Sequence, residues 1–141
     1  MRTYFLRYER QCANALAVSE FLQRHPRVKR VHYPGLASHP QHGLAAKQMK
    51  DFGSVVTVDL DGGYAECGRF AEHLKFFSIA ASVGSTESLV MPPQLLFSGG
   101  YTAEQRAASL VGKGTVRLSI GIEDASDLIQ DLSQALDKAF S

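Results

Sequence analysis

The sequence predicts an α+β fold: a two-layer sandwich in which a small, mostly antiparallel or mixed sheet carries helices on one face. Three observations predict it. Segments with period-two alternation and segments with apolar residues three to four apart follow one another closely, with no repeat, low-complexity tract or long linker. Turn signals such as Pro34-Gly35 and Asp61-Gly62-Gly63 separate them. Some connections are also too short for a parallel crossover, which needs roughly a dozen residues. With 141 residues and 45% apolar content, residues 1–141 make one domain. Such a globule buries roughly two-thirds of its unfolded surface without a metal or disulfide.

The elements follow in order. Cys12, Ala15, Val18 and Leu22 form one helical stripe between about Arg7 and Arg24, and Pro26 prevents continuation. Val28 to Tyr33 is a short strand closed by Pro34-Gly35. Ser38 can cap a helix running to about Met49, with Pro40 in its first turn and Gln41 reaching back. Ser54 to Leu60 alternates as a strand, with Val56, Val58 and Leu60 on one face. A helix from about Tyr64 to Leu74 follows, then an apolar strand from Phe76 to Ala81. Residues from Ser82 to Val90 read as a polar loop ending at Pro92-Pro93. After the Ser98-Gly99-Gly100 loop, Thr102 caps a short helix to about Leu110. Gly112-Lys113-Gly114 turns into the strand Thr115 to Ile122. The segment from Asp124 to Asp127 then caps a last helix, in which Leu128, Leu132, Ala135, Leu136 and Ala139 share a face.

Composition removes several classes of function. A net charge of +1 leaves no field suited to nucleic acid, and the basic stretch of Arg24, Arg27, Lys29 and Arg30 is what a helix C-terminus favours. Two cysteines are too few for a disulfide framework. No apolar run approaches the roughly 20 residues of a membrane span. The N-terminus shows no signal-peptide core, so a cytoplasmic setting is the default.

Two segments carry candidate chemistry. In the strand from Thr115, Val116, Leu118, Ile120 and Ile122 point to the core, and Arg117 and Ser119 point the other way. A mid-strand guanidinium suits a carboxylate or phosphate held by two parallel hydrogen bonds. A solvated edge or salt-bridge arginine is the commoner case from pattern alone. The second segment runs from Ala80 to Leu89 and concentrates Ser82, Ser85, Thr86 and Ser88 around Gly84. It can offer hydroxyls and backbone N–H groups to a polar ligand, or be a plain turn. Glu87 could orient Arg117. His39 and His42 stand three apart but lack the further ligands that zinc requires.

Five stretches in order resemble one family. They are Glu9-Arg10-Gln11-Cys12-Ala13-Asn14-Ala15-Leu16-Ala17, Tyr33-Pro34-Gly35-Leu36, Ser38-His39-Pro40-Gln41-His42, Ser82-Val83-Gly84-Ser85-Thr86-Glu87-Ser88-Leu89 and Val116-Arg117-Leu118-Ser119-Ile120-Gly121-Ile122-Glu123-Asp124. The family is that of the pyridoxal-phosphate (PLP) enzymes of cysteine and methionine metabolism, which includes cystathionine γ-synthase, cystathionine γ- and β-lyases, methionine γ-lyase and O-acetylhomoserine sulfhydrylases. The resemblance implies the C-terminal small domain of a fold-type I subunit, acting in transsulfuration chemistry as a carbon–sulfur lyase or transferase. It implies that Arg117 binds the α-carboxylate of a sulfur-containing amino-acid substrate and that Ser82 helps to hold it. It further implies a preceding PLP-binding domain absent from this chain, with the Schiff-base lysine in it, and a homo-oligomer. Lys113 and Lys138 do not sit in the family's lysine motif, so no catalytic residue is expected in the chain. Two departures fall where the substrate side chain is expected. Leu96-Phe97-Ser98 stands where many relatives have Met-Thr-His, and Ala81 replaces the acidic residue of many γ-lyases. Ala81 and Phe97 thus make a less polar side-chain pocket. The alternatives are a non-catalytic amino-acid-binding module and a truncated product without activity of its own.

Overall fold

A computed structural model describes residues 2–97, 99–109 and 111–141. Ser98, the first residue of the expected Ser98-Gly99-Gly100 loop, and the expected helix end at Leu110 lie outside the described residues. In chain order the elements are α1 (Tyr4–Leu22), β1 (Val28–His32), α2 (His42–Gln48), β2 (Val55–Leu60), α3 (Tyr64–His73), β3 (Phe77–Ile79), β4 (Ser88–Met91), α4 (Pro93–Leu96), α5 (Ala103–Ala108), β5 (Thr115–Ser119) and α6 (Ala125–Ala139).

The strands form one sheet in the order β1-β2-β5-β4-β3. Every neighbouring pair is antiparallel except β3 with β4. The sheet is therefore mixed, and α1, α3 and α6 cover one face of it, as the α+β reading expects. Alternation decides which residues meet them. Val56, Val58, Val90, Val116 and Leu118 are fully buried and join Val18 and Leu22 of α1, Phe70 of α3 and Leu128, Leu132 and Leu136 of α6 in one core. Burying each large aliphatic side chain contributes about 1.5–3 kcal/mol. Between α3 and α6, the buried carboxylate of Asp131 accepts the backbone N–H groups of Lys75 and Phe76 at 2.9–3.0 Å. That anchors the turn into β3.

Three local expectations are corrected. The helix expected from Ser38 begins only at His42, and its N-cap position is Gln41. Pro40 disfavours helical backbone at His39, so residues 36–42 make successive turns, closed by Leu36 N–H to Tyr33, His39 N–H to Leu36 and His42 N–H to His39. Second, the expected loop from Ser82 to Val90 contains β4. All four residues of that strand are buried, so it shows no alternation to read. Third, short connections do not all join antiparallel strands here: residues 80–87 alone link the parallel pair β3 and β4. Because β3 has only three residues, about 10 Å of return path suffices.

The remaining caps act as the sequence reads. Thr102 Oγ1 accepts the Gln105 N–H at 3.1 Å while the Gln105 side chain accepts the Thr102 N–H at 2.9 Å. Asp124 accepts the Ser126 N–H at 2.8 Å to start α6. None of the helices among the described residues is long and apolar enough to cross a membrane.

Candidate functional site

The sheet face turned away from α1, α3 and α6 is built by the other half of each strand. Pairing places His32, Thr57, Arg117 and Met91 in one row across β1, β2, β5 and β4. Arg117 thus stands near the middle of this face, half-buried, with Thr57 and Met91 as its lateral neighbours. Its Nη2 donates to the carbonyl of Ser82 at 3.2 Å. Its Nε is buried and has no hydrogen-bond partner, and no carboxylate among the described residues forms an ion pair with it. A buried N–H on a cation left without an acceptor is costly. An anion that filled this gap would meet a planar donor edge suited to two parallel bonds.

Asp59, an acid on this face, is already committed: it takes the Thr115 hydroxyl at 2.6 Å and stands 2.7 Å from His32 Nε2. Arg117 has no ion pair among the described residues.

The loop over Arg117 owes its position to topology. A parallel step from β3 to β4 must carry residues 80–87 back along the sheet, and the helices occupy the other face. The loop therefore crosses the Arg117 side. Gly84 adopts a left-handed φ of 75°, which a glycine allows without strain, and its N–H meets Ser119 Oγ at 3.3 Å. Ile122 N–H bonds the Thr86 carbonyl at 2.9 Å. Gly121 permits this approach, since a Cβ there would lie 2.7 Å from the carbonyl carbon of Glu87.

Further bonds fix the loop's exit into β4 and its middle. Glu123 accepts the Ser88 N–H at 2.6 Å and the Ser88 hydroxyl at 3.0 Å, and Ser88 Oγ accepts the Gly121 N–H at 2.9 Å. From α1, Gln11 Nε2 donates to the Ser85 carbonyl at 2.7 Å. Asn14 Nδ2 donates to the carbonyls of Gly121 at 3.1 Å and Glu123 at 2.8 Å.

The structure thus brings Arg117 and Ser82 together, through the Ser82 carbonyl. Ala81 is exposed beside Ser82. Phe97 is buried and lines a hollow of about 710 Å³ with Tyr64, Tyr101, Arg106 and Lys113. Its ring meets Tyr101 edge-on at 5.7 Å and lies beneath the Arg106 guanidinium. Glu87 does not orient Arg117; its carboxylate lies 3.4 Å from the Ser78 hydroxyl. His42 Nδ1 stands 2.7 Å from the Pro34 carbonyl, and His39 Nδ1 accepts the Gln41 N–H at 3.2 Å. Neither buried cysteine has the lowered pKa that marks a nucleophilic thiol. Burial pushes the Cys67 thiol up to about 12 and raises Cys12 as well, against a thiolate's need for a lowered value. Gln11, Asn14 and Glu123 were not among the expected site residues. The available signal was two amides on the buried stripe of α1, since a polar group there needs a partner.

Residues 1–137 match the model of the Cys/Met metabolism PLP-dependent enzymes. The chain belongs to that family. L-methionine gamma-lyase of Fusobacterium nucleatum subsp. polymorphum is 46% identical over 138 residues, which take in 98% of this chain and 35% of the relative. Cystathionine gamma-lyase of Dictyostelium discoideum is 43% identical over 138 residues, 98% of this chain and 36% of the relative. Among solved structures, cystathionine gamma synthase from Xanthomonas oryzae pv. oryzae, in complex with aminoacrylate and cysteine, superposes with a TM-score of 0.91 at 43% identity. That match covers 99% of this chain and 36% of the synthase chain. The chain therefore spans about a third of the length of the family members it matches. Its fold is that of the corresponding third of the synthase.

Proposed function

We propose that this chain is the substrate-carboxylate portion of a PLP-dependent carbon–sulfur lyase or transferase of cysteine and methionine metabolism. The observation that carries the reading is Arg117: a half-buried guanidinium with a buried, unpartnered Nε and no ion pair among the described residues. Its remaining donors fit the α-carboxylate of an amino acid. Ser82 supports this by accepting one Nη2 proton and so fixing the plane of the fork. PLP, when bound, supplies the electron sink for bond cleavage at the amino acid. The role of this chain is to grip the acid end and thereby orient the bonds at Cα. We assign the PLP-binding domain and its Schiff-base lysine to the two-thirds of the relatives' length that this chain does not match.

The substrate class, a sulfur-containing amino acid, is drawn from the names of the relatives. We assign the substrate side chain to Ala81, exposed beside Ser82, and to Phe97, which lines the hollow with Tyr101 and Arg106. Burial of α1's exposed start fits a place in a larger assembly, including a homo-oligomer: Phe5 and Leu6 are 78% and 74% exposed, more apolar surface than an isolated helix end needs.

The test follows the Arg117 Nε–H resonance by NMR during titration with L-methionine and with methioninol, which lacks the carboxylate. A millimolar response to methionine alone is the expected result, and it vanishes in Arg117→Met. An equal response to both ligands, or none to either, rejects the carboxylate site. Micromolar or tighter binding by this chain alone favours a free-standing amino-acid-binding module instead.

A further inference from the structure

We propose that Gln11 is a positioning residue that holds the 82–87 loop over Arg117 and so sets the affinity of the carboxylate site. The inference rests on the carboxylate reading of Arg117 and extends it to a residue that touches no substrate.

Gln11 is only 3% exposed although it lies in the second turn of α1 with exposed neighbours at Glu9 and Arg10. Its carboxamide spends this burial on one long-range bond, 2.7 Å to the Ser85 carbonyl. Only Val83 and Gly84 separate that anchored carbonyl from Ser82, whose carbonyl faces Arg117. Gly84 turns the chain between them. A shift at Ser85 is therefore delivered to Ser82 across two residues, one of them conformationally permissive.

Ahead of Ser85 the loop has little else to hold it. Val83 and Gly84 are exposed, and the Gly84 N–H to Ser119 Oγ contact is long at 3.3 Å; the Ile122 N–H to Thr86 carbonyl bond at 2.9 Å holds only the far side of Ser85. The same helix also controls the other side of the site. Asn14 is one turn along α1 from Gln11 and holds the Gly121 and Glu123 carbonyls just beyond β5, the strand that carries Arg117. Two amides on one helical face thus fix the spacing between the loop and the arginine strand.

The experiment uses the intact chain as wild type, Gln11→Leu and Gln11→Asn. Leucine keeps the volume and removes the donor; asparagine keeps the amide on a side chain too short to reach Ser85. Amide exchange and the Arg117 Nε–H titration with L-methionine are read on the same samples. In Gln11→Leu the Gly84 amide exchanges at least about tenfold faster, whereas Val58 and Leu118 are unchanged. Methionine affinity falls at least about fivefold, and Gln11→Asn behaves in the same direction. Unchanged Gly84 exchange overturns the proposal, as does a loosened loop with unchanged affinity. Equal acceleration at Leu118 shows a general structural role and overturns it too. A wild type that does not respond to methionine overturns both this inference and the carboxylate reading. A responsive wild type with an equally responsive Gln11→Leu overturns this one alone.

Discussion

Adjacent residues of β5 face two different solvents. Leu118 belongs to the side covered by helices, where it is fully buried among Val56, Val90 and the α6 leucines. Arg117 belongs to the side crossed by the 82–87 loop, where its Nε keeps a proton without an acceptor. One face is a closed aliphatic core, and the other holds a cation with no ion pair among the described residues. The difference teaches that the stability of this domain and its ligand chemistry are divided between the two faces of one sheet.

The largest expected effect comes from exchanging one neighbour for the other. Leu118→Ala removes a buried aliphatic side chain and destabilises the chain by about 2–5 kcal/mol, measured from urea midpoints. Arg117→Ala leaves stability within about 1 kcal/mol and abolishes the carboxylate response. Comparable losses of stability in both variants would break the division of labour. Gly121→Ala gives a smaller effect, because its Cβ would press on the Thr86–Glu87 backbone. A loss of about 1–3 kcal/mol is expected, together with faster amide exchange at Gly84 and a weakened methionine response. Retention of both would show that the loop yields without consequence.

The smallest effect sharpens how dry the helical side is. An unfolded cysteine ionises near about 8.5, but burial, followed by the nearby charges of Glu66 and Asp59, pushes Cys67 up to about 12. Above pH of about 8.5 the unfolded state therefore releases a proton that the folded state retains, and stability declines as the pH rises through that window. At pH 8, alkylation of Cys67 in the folded chain is slower than in urea by on the order of a hundredfold or more. Similar rates in the two conditions would mean that the α3 side admits water.

Much of this arrangement was legible in the residues. The stripe Leu128, Leu132, Ala135, Leu136 and Ala139 faces the core as its spacing requires, and the alternation from Thr115 gives Arg117 its direction. β4 escaped because Ser88–Met91 is buried throughout and lies between a serine-rich stretch at 82–87 and the break at Pro92-Pro93. The parallel pairing of β3 and β4 escaped because the crossover rule assumes strands of ordinary length. The anchors of the loop escaped for another reason: Gln11 and Ser85 lie 74 positions apart, and no local pattern joins them. Family likeness led us to expect Arg117 and Ser82 on one substrate carboxylate; that the Ser82 carbonyl accepts from the Arg117 guanidinium is visible only in three dimensions.

The parallel step between β3 and β4 also has a consequence in time. β3 meets β4 across one loop, Phe77 beside Ser88, and β4 reaches β5 at a moderate separation, Leu89 beside Ser119. The most distant pairing in the sheet is that of β2 with β5, Val55 beside Ser119, and distant pairing forms slowly. The edge and the loop that crosses the arginine therefore assemble on β5 before β1 and β2 close the sheet, so a refolding chain frames a place for an anion before its core is complete.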